Sequence, residues 1–401
     1  MNIYKTNSYL LIRTDRLLGN VRAIQSRLNG AKLIPVLKGD AYGLGLVPVA
    51  KVLADEGLDT FAVAHVGEGL TLRQALADEG CTPEILVMGA PLPFHLDAAV
   101  RAGLTLTLCR PGLAAQLGER SDACGVPVRV QIKLDTGLHR LGFLPGEETD
   151  ELIRELREAG DRLKVTGVYS HFADTEDAPR TAAQAALFRQ GVTQLRAAGI
   201  TAPLYHIAAS ASHELYPEYH FDAVRIGRGL YWDHPTRPLG DITEVCAWRS
   251  WVTAVHARHA GEALGYGSGV RPEHDTLVAV IGVGYGDGMH PGMAERHAPV
   301  LIRGQRCPVL VCCMDQSLVD VTVLCGAGWE QAAFSDAASC DAAARDALPV
   351  QVGDEVTLLG WDADGVPLPA QPLALSIGAD EACALTNALT NRVTRIYRDG
   401  E

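Results

Sequence analysis

Residues 128–169 read VRVQIKLDTGLHRLGFLPGEETDELIRELREAGDRLKVTGVY. Val128–Leu134 is short and rich in branched aliphatics, Glu147–Ala159 (EETDELIRELREA) is amphipathic, and Val165–Tyr169 is again β-like. Two strands joined through a helix of that length form a parallel β–α–β unit. The alternation recurs on either side, with β-like runs at Lys32–Leu37, Thr60–Ala64, Glu84–Met88, Thr105–Leu108, Pro203–Ala208 and Ala223–Ile226, and a further helical stretch at Thr181–Ala198. Runs such as LIPVL, FAVA and ILVM are nearly continuous in apolar residues, the mark of strands covered on both faces. About eight such units in roughly 200–250 residues is the arithmetic of a (β/α)8 barrel. A doubly wound open sheet is the alternative, but no GxGxxG follows the first strand and no acidic residue is placed for a ribose.

Beyond about residue 245 the pattern changes. Trp248–Ala257, Thr276–Val283, Pro299–Ile302, Pro308–Cys313, Leu318–Val323 and Glu355–Leu359 are short, often alternating, and separated by Gly or Pro; Asp380–Leu389 is the main helical stretch. These features predict a mostly β second domain. The expected division is residues 10–243 for the barrel and 244–401, with 1–9, for the β-rich domain. The Ala- and Asp-rich tract Gly326–Ala347 reads as a surface insertion.

Composition narrows the function. With 35 Lys+Arg against 48 Asp+Glu the net charge is −13, which disfavours a nucleic-acid groove or an anionic membrane surface. The longest apolar runs, such as Leu277–Val283, fall short of the roughly 20 residues that span a bilayer. No signal-like run opens the chain. The 10 cysteines contain no CxxC pair and read as reduced thiols, with no metal site expected. The expectation is a cytoplasmic protein.

Barrels carry their chemistry at the C-terminal ends of the strands. Lys38 follows the first strand in Leu37-Lys38-Gly39-Asp40-Ala41-Tyr42-Gly43; partial desolvation there would free its amine to condense with a carbonyl. In the fifth strand Lys133 and Asp135 share a face, and a lysine inside a barrel requires a partner. The seventh strand ends at Ser210 and the eighth in Val224-Arg225-Ile226-Gly227-Arg228-Gly229, where barrels commonly bind phosphate.

Together VLKGDAYGLG, IKLDTGLHRLGF, YSHF, HIAASAS, VRIGRGLY, GYGSG, GYGDG and CMDQ, in this order, resemble the alanine racemase family. The resemblance covers all of the chain except the 326–347 tract. It implies a pyridoxal 5′-phosphate (PLP) enzyme that interconverts L- and D-alanine and supplies D-alanine for cell-wall synthesis. Lys38 would hold PLP covalently and act as one base; Tyr266 of a partner subunit would be the other. Arg225 would face the pyridine nitrogen, and Arg140 the phenolic oxygen and the substrate carboxylate. Lys133 would be carbamylated so as to orient Arg140. Tyr42, Ser210 and the turn Ile226-Gly227-Arg228 would hold the phosphate, and His171 would support the cofactor. Met314 would donate its backbone N–H to the substrate carboxylate, with Tyr285 and Asp315 at the entrance. Because Tyr266, Met314 and Asp315 serve the neighbouring copy in this family, a homodimer with shared active sites is implied.

Two positions depart from the family's pattern. Asn391 stands where a tyrosine is common, which opens room and offers an amide to a hydroxymethyl group, so serine is an alternative substrate to alanine. After Gly284-Tyr285-Gly286-Asp287-Gly288 the family's arginine is missing, and His290 is its expected partial substitute. Two other readings are a non-catalytic PLP-binding barrel and a PLP decarboxylase. The first would lack Tyr266 and the β-rich domain; the second would carry a carboxylate where Arg225 stands.

Overall fold

The computed structural model describes residues 6–233, 240–267, 269–327, 329–330, 334 and 348–400. Parallel strands β2 (Lys32–Pro35), β3 (Thr60–Val63), β4 (Glu84–Val87), β5 (Thr105–Leu108), β6 (Val128–Lys133), β7 (Leu163–Tyr169), β8 (Tyr205–His206) and β9 (Ala223–Ile226) coincide with the eight expected β segments to within a few residues. β3 to β8 pair in order and β2 pairs with β9. Single parallel bridges, Val36 to Ala62 and Ala209 to Arg225, join the two sets into a closed ring. Closure leaves no free edge, so the unit is a TIM-type barrel.

The strands are apolar because both faces are covered. Every residue of β3 and of β5 is buried, and Ile34, Val36, Ala62, Leu86 and Ala223 form one packed cluster. The helix Glu147–Ala159 buries Leu152, Ile153 and Leu156 and carries Glu147, Glu148 and Asp150 in its first turn and Arg157 in its last. That charge order suits the helix dipole, and burying the three aliphatic side chains contributes roughly 1.5–3 kcal/mol each before entropy. The helix expected at Thr181–Ala198 starts earlier, at Ala178, where the Asp177 carboxylate accepts from the backbone N–H of Arg180. β8 is shorter than expected at both ends; at its start Pro203 has no N–H to give a ladder.

The second unit is built on a nine-stranded sheet in the order β16-β15-β12-β13-β14-β11-β10-β1-β17. Its strands are β1 (Ser8–Arg13), β10 (Cys246–Arg258), β11 (Thr276–Ile281), β12 (Pro299–Ile302), β13 (Gln305–Cys312), β14 (Ser317–Asp320), β15 (Glu355–Trp361), β16 (Pro367–Leu368) and β17 (Thr394–Arg398). β1 runs antiparallel to β10 and parallel to β17. Contacts therefore group residues up to Arg16 with Thr243 onward, and Leu17–Ile242 separately; a boundary at residue 10 would fall inside β1. Most of the 326–347 tract lies outside the described residues. No described helix is long and apolar enough to cross a membrane. The described cysteines are free, and no described group of His, Cys, Asp and Glu could hold a metal ion.

Candidate active site

The chain leaves β2 through a left-handed turn. Gly39, Asp40, Ala41 and Tyr42 have φ of 63°, 55°, 54° and 59°, followed by Gly43 at 85°. Left-handed backbone costs an L-residue roughly 1–2 kcal/mol, so three successive non-glycine residues there need external bracing. Glu68 supplies part of it. Its carboxylate accepts from Gly39 N–H at 2.7 Å and from Ala64 N–H at 2.8 Å. The Asp40 carboxylate accepts from Leu46 N–H at 2.7 Å. The turn leaves the Lys38 side chain exposed, its Nζ 5.9 Å from the Tyr42 ring centre. Strain of this kind collects at functional sites.

A row of polar groups lies inside the barrel. The Arg225 guanidinium donates to His206 Nδ1 at 2.6 Å, His171 Nδ1 at 3.0 Å and the Ser170 carbonyl at 2.7 Å. A guanidinium can only donate, so both imidazoles must accept at Nδ1 and carry their proton at Nε2. His206 Nε2 then donates to Gln131 Oε1 at 2.9 Å. Burial first, and then the Arg225 charge, hold both histidines well below the usual imidazole range, in agreement with that tautomer. Tyr169 stacks on His206 with ring centres 5.2 Å apart, and Lys133 Nζ lies 4.4 Å from the Tyr169 ring centre.

Lys133 is itself buried. Desolvation first, then Arg225 and Arg140, push its amine well below the lysine range. Lys38, Lys133, Arg140 and Arg225 all act electrostatically on His171. The nearby carboxylate of Asp135 is committed: its Oδ1 accepts from the backbone N–H groups of Gly137, Leu138 and His139. Lys38, Arg140 and Arg225 thus bring positive charge to the barrel mouth.

A cradle completes this end. Ser210 Oγ accepts from the N–H groups of Gly227 and Gly229 at 3.2 and 3.3 Å. A Cβ on Gly227 would lie 2.1 Å from the Tyr42 hydroxyl, so only glycine lets the phenol reach this backbone. The side chain of Arg228 turns away and donates to the Asp233 carbonyl at 2.9 Å. The Ile226-Gly227-Arg228 turn therefore offers backbone groups to the cradle.

Next to Ser210, burial and then the charge of Asp233 raise Glu214 to about 7. A raised acid favours folding below its ordinary pKa and loses that contribution as pH rises through the folded value. His213, lowered to about 4 by burial, acts in the opposite sense as pH falls. Glu214→Gln keeps the neutral form at every pH. Its melting midpoint relative to wild type should therefore be higher at pH 8 than at pH 4.5, by about 2–4 °C. An equal difference at the two pH values in thermal denaturation would contradict this.

On the β-rich unit three segments are knotted around Gly284-Tyr285-Gly286-Asp287-Gly288. Tyr285 N–H donates to the Cys313 carbonyl at 3.0 Å, Gly286 N–H to Met314 at 2.8 Å, and Thr390 N–H to Asp287 at 3.1 Å. A Cβ on Gly284 would lie 2.1 Å from the Cys313 oxygen, and one on Gly288 2.2 Å from the Ala388 oxygen. Gly284→Ala must break the first contacts and should cost about 2–4 kcal/mol. Gly67→Ala, with open space around it, should be neutral. Calorimetry of the two variants tests this, and equal midpoints would refute it.

The knot assembles Tyr285, Met314, Asp315 and Asn391. Met314 N–H makes no hydrogen bond to a described residue. His290 does not take over the missing arginine's place: its Nδ1 accepts from Gly292 N–H at 3.0 Å. The cation on Asp315 is Arg392, at 2.6 Å. Tyr266, between Gly265 and Gly267 with φ of 79° and 68°, is 89% exposed. Its phenol is offered to solvent.

Lys38, Tyr42, Lys133, Arg140, His171, Ser210 and Arg225–Arg228 thus converge at one end of the barrel, and Tyr285, Met314, Asp315 and Asn391 converge on the β-rich unit. Sequence reading missed Glu68, Gln131, His206 and Arg392. Only His206 had a local signal, in the HIAASAS segment; the others act through contacts distant in the chain.

A closed barrel with a lysine-bearing strained turn, a buried guanidinium network and an amide cradle, followed by a β-rich unit, defines a two-domain barrel enzyme. The alanine racemase N-terminal domain matches residues 12–235 and its C-terminal domain residues 245–397. The chain belongs to the alanine racemase family and is an isomerase of that family. It is 33% identical over 384 residues to the alanine racemase of Symbiobacterium thermophilum, covering 94% of this chain and 93% of that protein. It is 34% identical over 323 residues to that of Corynebacterium efficiens, covering 80% and 85%. Among solved structures, the alanine racemase of Clostridium difficile 630 superposes with a TM-score of 0.84 at 26% identity, covering 98% and 96%. That of Streptomyces coelicolor superposes at 0.83 and 28%, covering 98% of each.

Proposed function

We propose that this protein interconverts L- and D-alanine with PLP as cofactor, using Lys38 and the partner subunit's Tyr266 as its two bases. The observation that carries the reading is the excess of positive charge at the barrel mouth beside an amide-and-hydroxyl cradle. Lys38, Arg140 and Arg225 all act electrostatically on His171, and buried Arg225 donates only to imidazoles and carbonyls among the described residues. A buried cation without a counterion is costly, so Arg225 and the exposed cations Lys38 and Arg140 suit the mouth to an anionic guest. A phosphorylated aromatic aldehyde fits these donors: its phosphate at Ser210, Tyr42 and the N–H groups of Gly227 and Gly229, its aldehyde at Lys38.

When bound, PLP supplies the conjugated electron sink that makes the α-hydrogen of an amino acid acidic. The protein supplies position and proton traffic. Arg225, already donating to two imidazoles and a carbonyl, has no lone pair, so a ring nitrogen facing it must stay unprotonated. Such a nitrogen draws less charge into the ring, which favours return of the proton to Cα, the outcome racemisation needs. Lys38 Nζ moves the proton on one face of Cα and the Tyr266 hydroxyl on the other. Arg140 and the backbone N–H of the partner subunit's Met314 would hold the substrate carboxylate. The depressed basicity of Lys133 favours the neutral amine, the form that adds CO2, so a carbamate there would give Arg140 an anionic partner. Reversible carbamylation is read out by bicarbonate dependence and by intact-protein mass.

The exposed Tyr266 phenol supports a homodimer in which each copy completes the other's site, in the cytoplasm, providing D-alanine for cell-wall precursors. Serine is the second reading. The exposed Asn391 amide makes no hydrogen bond to a described residue, and a site that bonds a substrate hydroxyl discriminates strongly. Racemisation of alanine and serine side by side, with PLP bound, tests both. Alanine turnover with serine below about a hundredth of its efficiency removes the serine reading; no turnover of either removes both.

A further inference from the structure

We infer that Arg392 is a positioning residue that holds the substrate-carboxylate donor and the side-chain-facing segment in one fixed arrangement; this rests on the function proposed above. Arg392 donates through Nη1 to Asp315 Oδ1 at 2.6 Å, and its Nε lies 3.0 Å from Asp287 Oδ1. Asp287 is buried, and its second oxygen accepts from Gly284 N–H at 2.9 Å. Asp315 directly follows Met314, and Arg392 directly follows Asn391. One guanidinium thereby ties the turn that presents the free Met314 N–H to the segment that carries Asn391, through an aspartate anchored in the glycine-rich turn.

The glycine pattern fits this assignment. A Cβ on Gly286 would lie 2.9 Å from Arg392 Nη1 and 2.9 Å from the Met314 oxygen. The bare position at 286 thus leaves room for the guanidinium and the Met314 backbone together. The Arg392 side chain is 46% exposed and that of Asp315 61%. Ion pairs this wet contribute little to folding, and the Asp287 and Thr390 backbone bonds hold the segments together without it. What the guanidinium adds is the angle between the two segments, since its two N–H edges address two carboxylates at once. A lysine ammonium lacks that fork.

Steady-state racemisation by the PLP-loaded enzyme tests the assignment. Arg392→Ala should raise the alanine KM about tenfold or more in both directions while kcat stays within about threefold, the signature of lost ground-state and transition-state binding alike. Bound-cofactor absorbance and the melting midpoint should match wild type, and Arg392→Lys should recover part of the KM. In the Arg392→Ala background, Asp315→Asn should add no further rise, because the two act as a unit. A KM within twofold of wild type overturns the assignment, as does a loss confined to kcat. If Arg392→Ala does not fold, Arg392→Lys and Asp315→Asn decide, and unchanged KM in both overturns it. Wild type that racemises alanine beside an unaltered Arg392→Ala sinks this inference alone. PLP-loaded wild type that leaves alanine unchanged sinks the proposed function and this inference with it.

Discussion

Lys38→Ala is expected to abolish alanine racemisation, by about 10⁴-fold or more, because it removes a covalent attachment point and a proton carrier in one change. The fold should survive. The strained turn is built by Gly39–Gly43 and braced by Glu68 and Asp40, while the Lys38 side chain is exposed and contributes no bracing bond. With PLP removed from both, the variant should melt within about 2 °C of wild type. Borohydride treatment of wild type should fix one PLP per chain on Lys38, and the variant should retain none. Two outcomes would refute the assignment: more than a tenth of the activity remaining, or reductive labelling found on Lys133. The second matters because burial favours a neutral amine at Lys133, while the Lys38 side chain is exposed.

Tyr266→Phe should lower racemisation about 10³–10⁴-fold, within the range that a positioned general acid–base group contributes. With the phenol 89% exposed, removing its hydroxyl leaves nothing buried unpaired, so stability should not change. The two-base reading makes a sharper demand. In D2O the variant should still exchange the α-proton of the enantiomer whose hydrogen faces Lys38, without inverting it, and should lose exchange of the other. Equal loss for both enantiomers would mean that one base serves both faces.

Co-expression of Lys38→Ala with Tyr266→Phe then asks whose phenol is used. A mixed dimer pairs one intact Lys38 with the other chain's intact Tyr266, so about a quarter of wild-type activity should return when subunits assort at random. No recovery would place both bases on the same chain.

The histidine network shows where sequence reading stops. YSHF and HIAASAS marked the ends of two strands, but the acceptor state of His171 and His206 depends on a guanidinium from a third strand, 54 and 19 residues away. His290 shows the same from the other side. Its place after GYGDG suggested a substitute for an absent arginine, yet its ring caps the next turn while Arg392, 77 residues beyond Asp315, supplies the cation. Pairings at such separations leave no periodic trace, because they depend on how strands stack and not on local spacing.

Local rules sufficed for the barrel strands and for the end of each at which chemistry gathers, since a strand buried on both faces must be apolar along its length and its polar residues must fall at the ends or face an enclosed interior. The same rules placed Lys38 at the mouth of β2. The left-handed course of residues 39–43, the neutral histidines around Arg225 and the clamp of Arg392 on two aspartates belong to the tertiary structure alone. Each depends on a residue remote in the chain that arrives to brace or pair it: the strained turn on Glu68, the buried imidazoles on Arg225 and the two aspartates on Arg392.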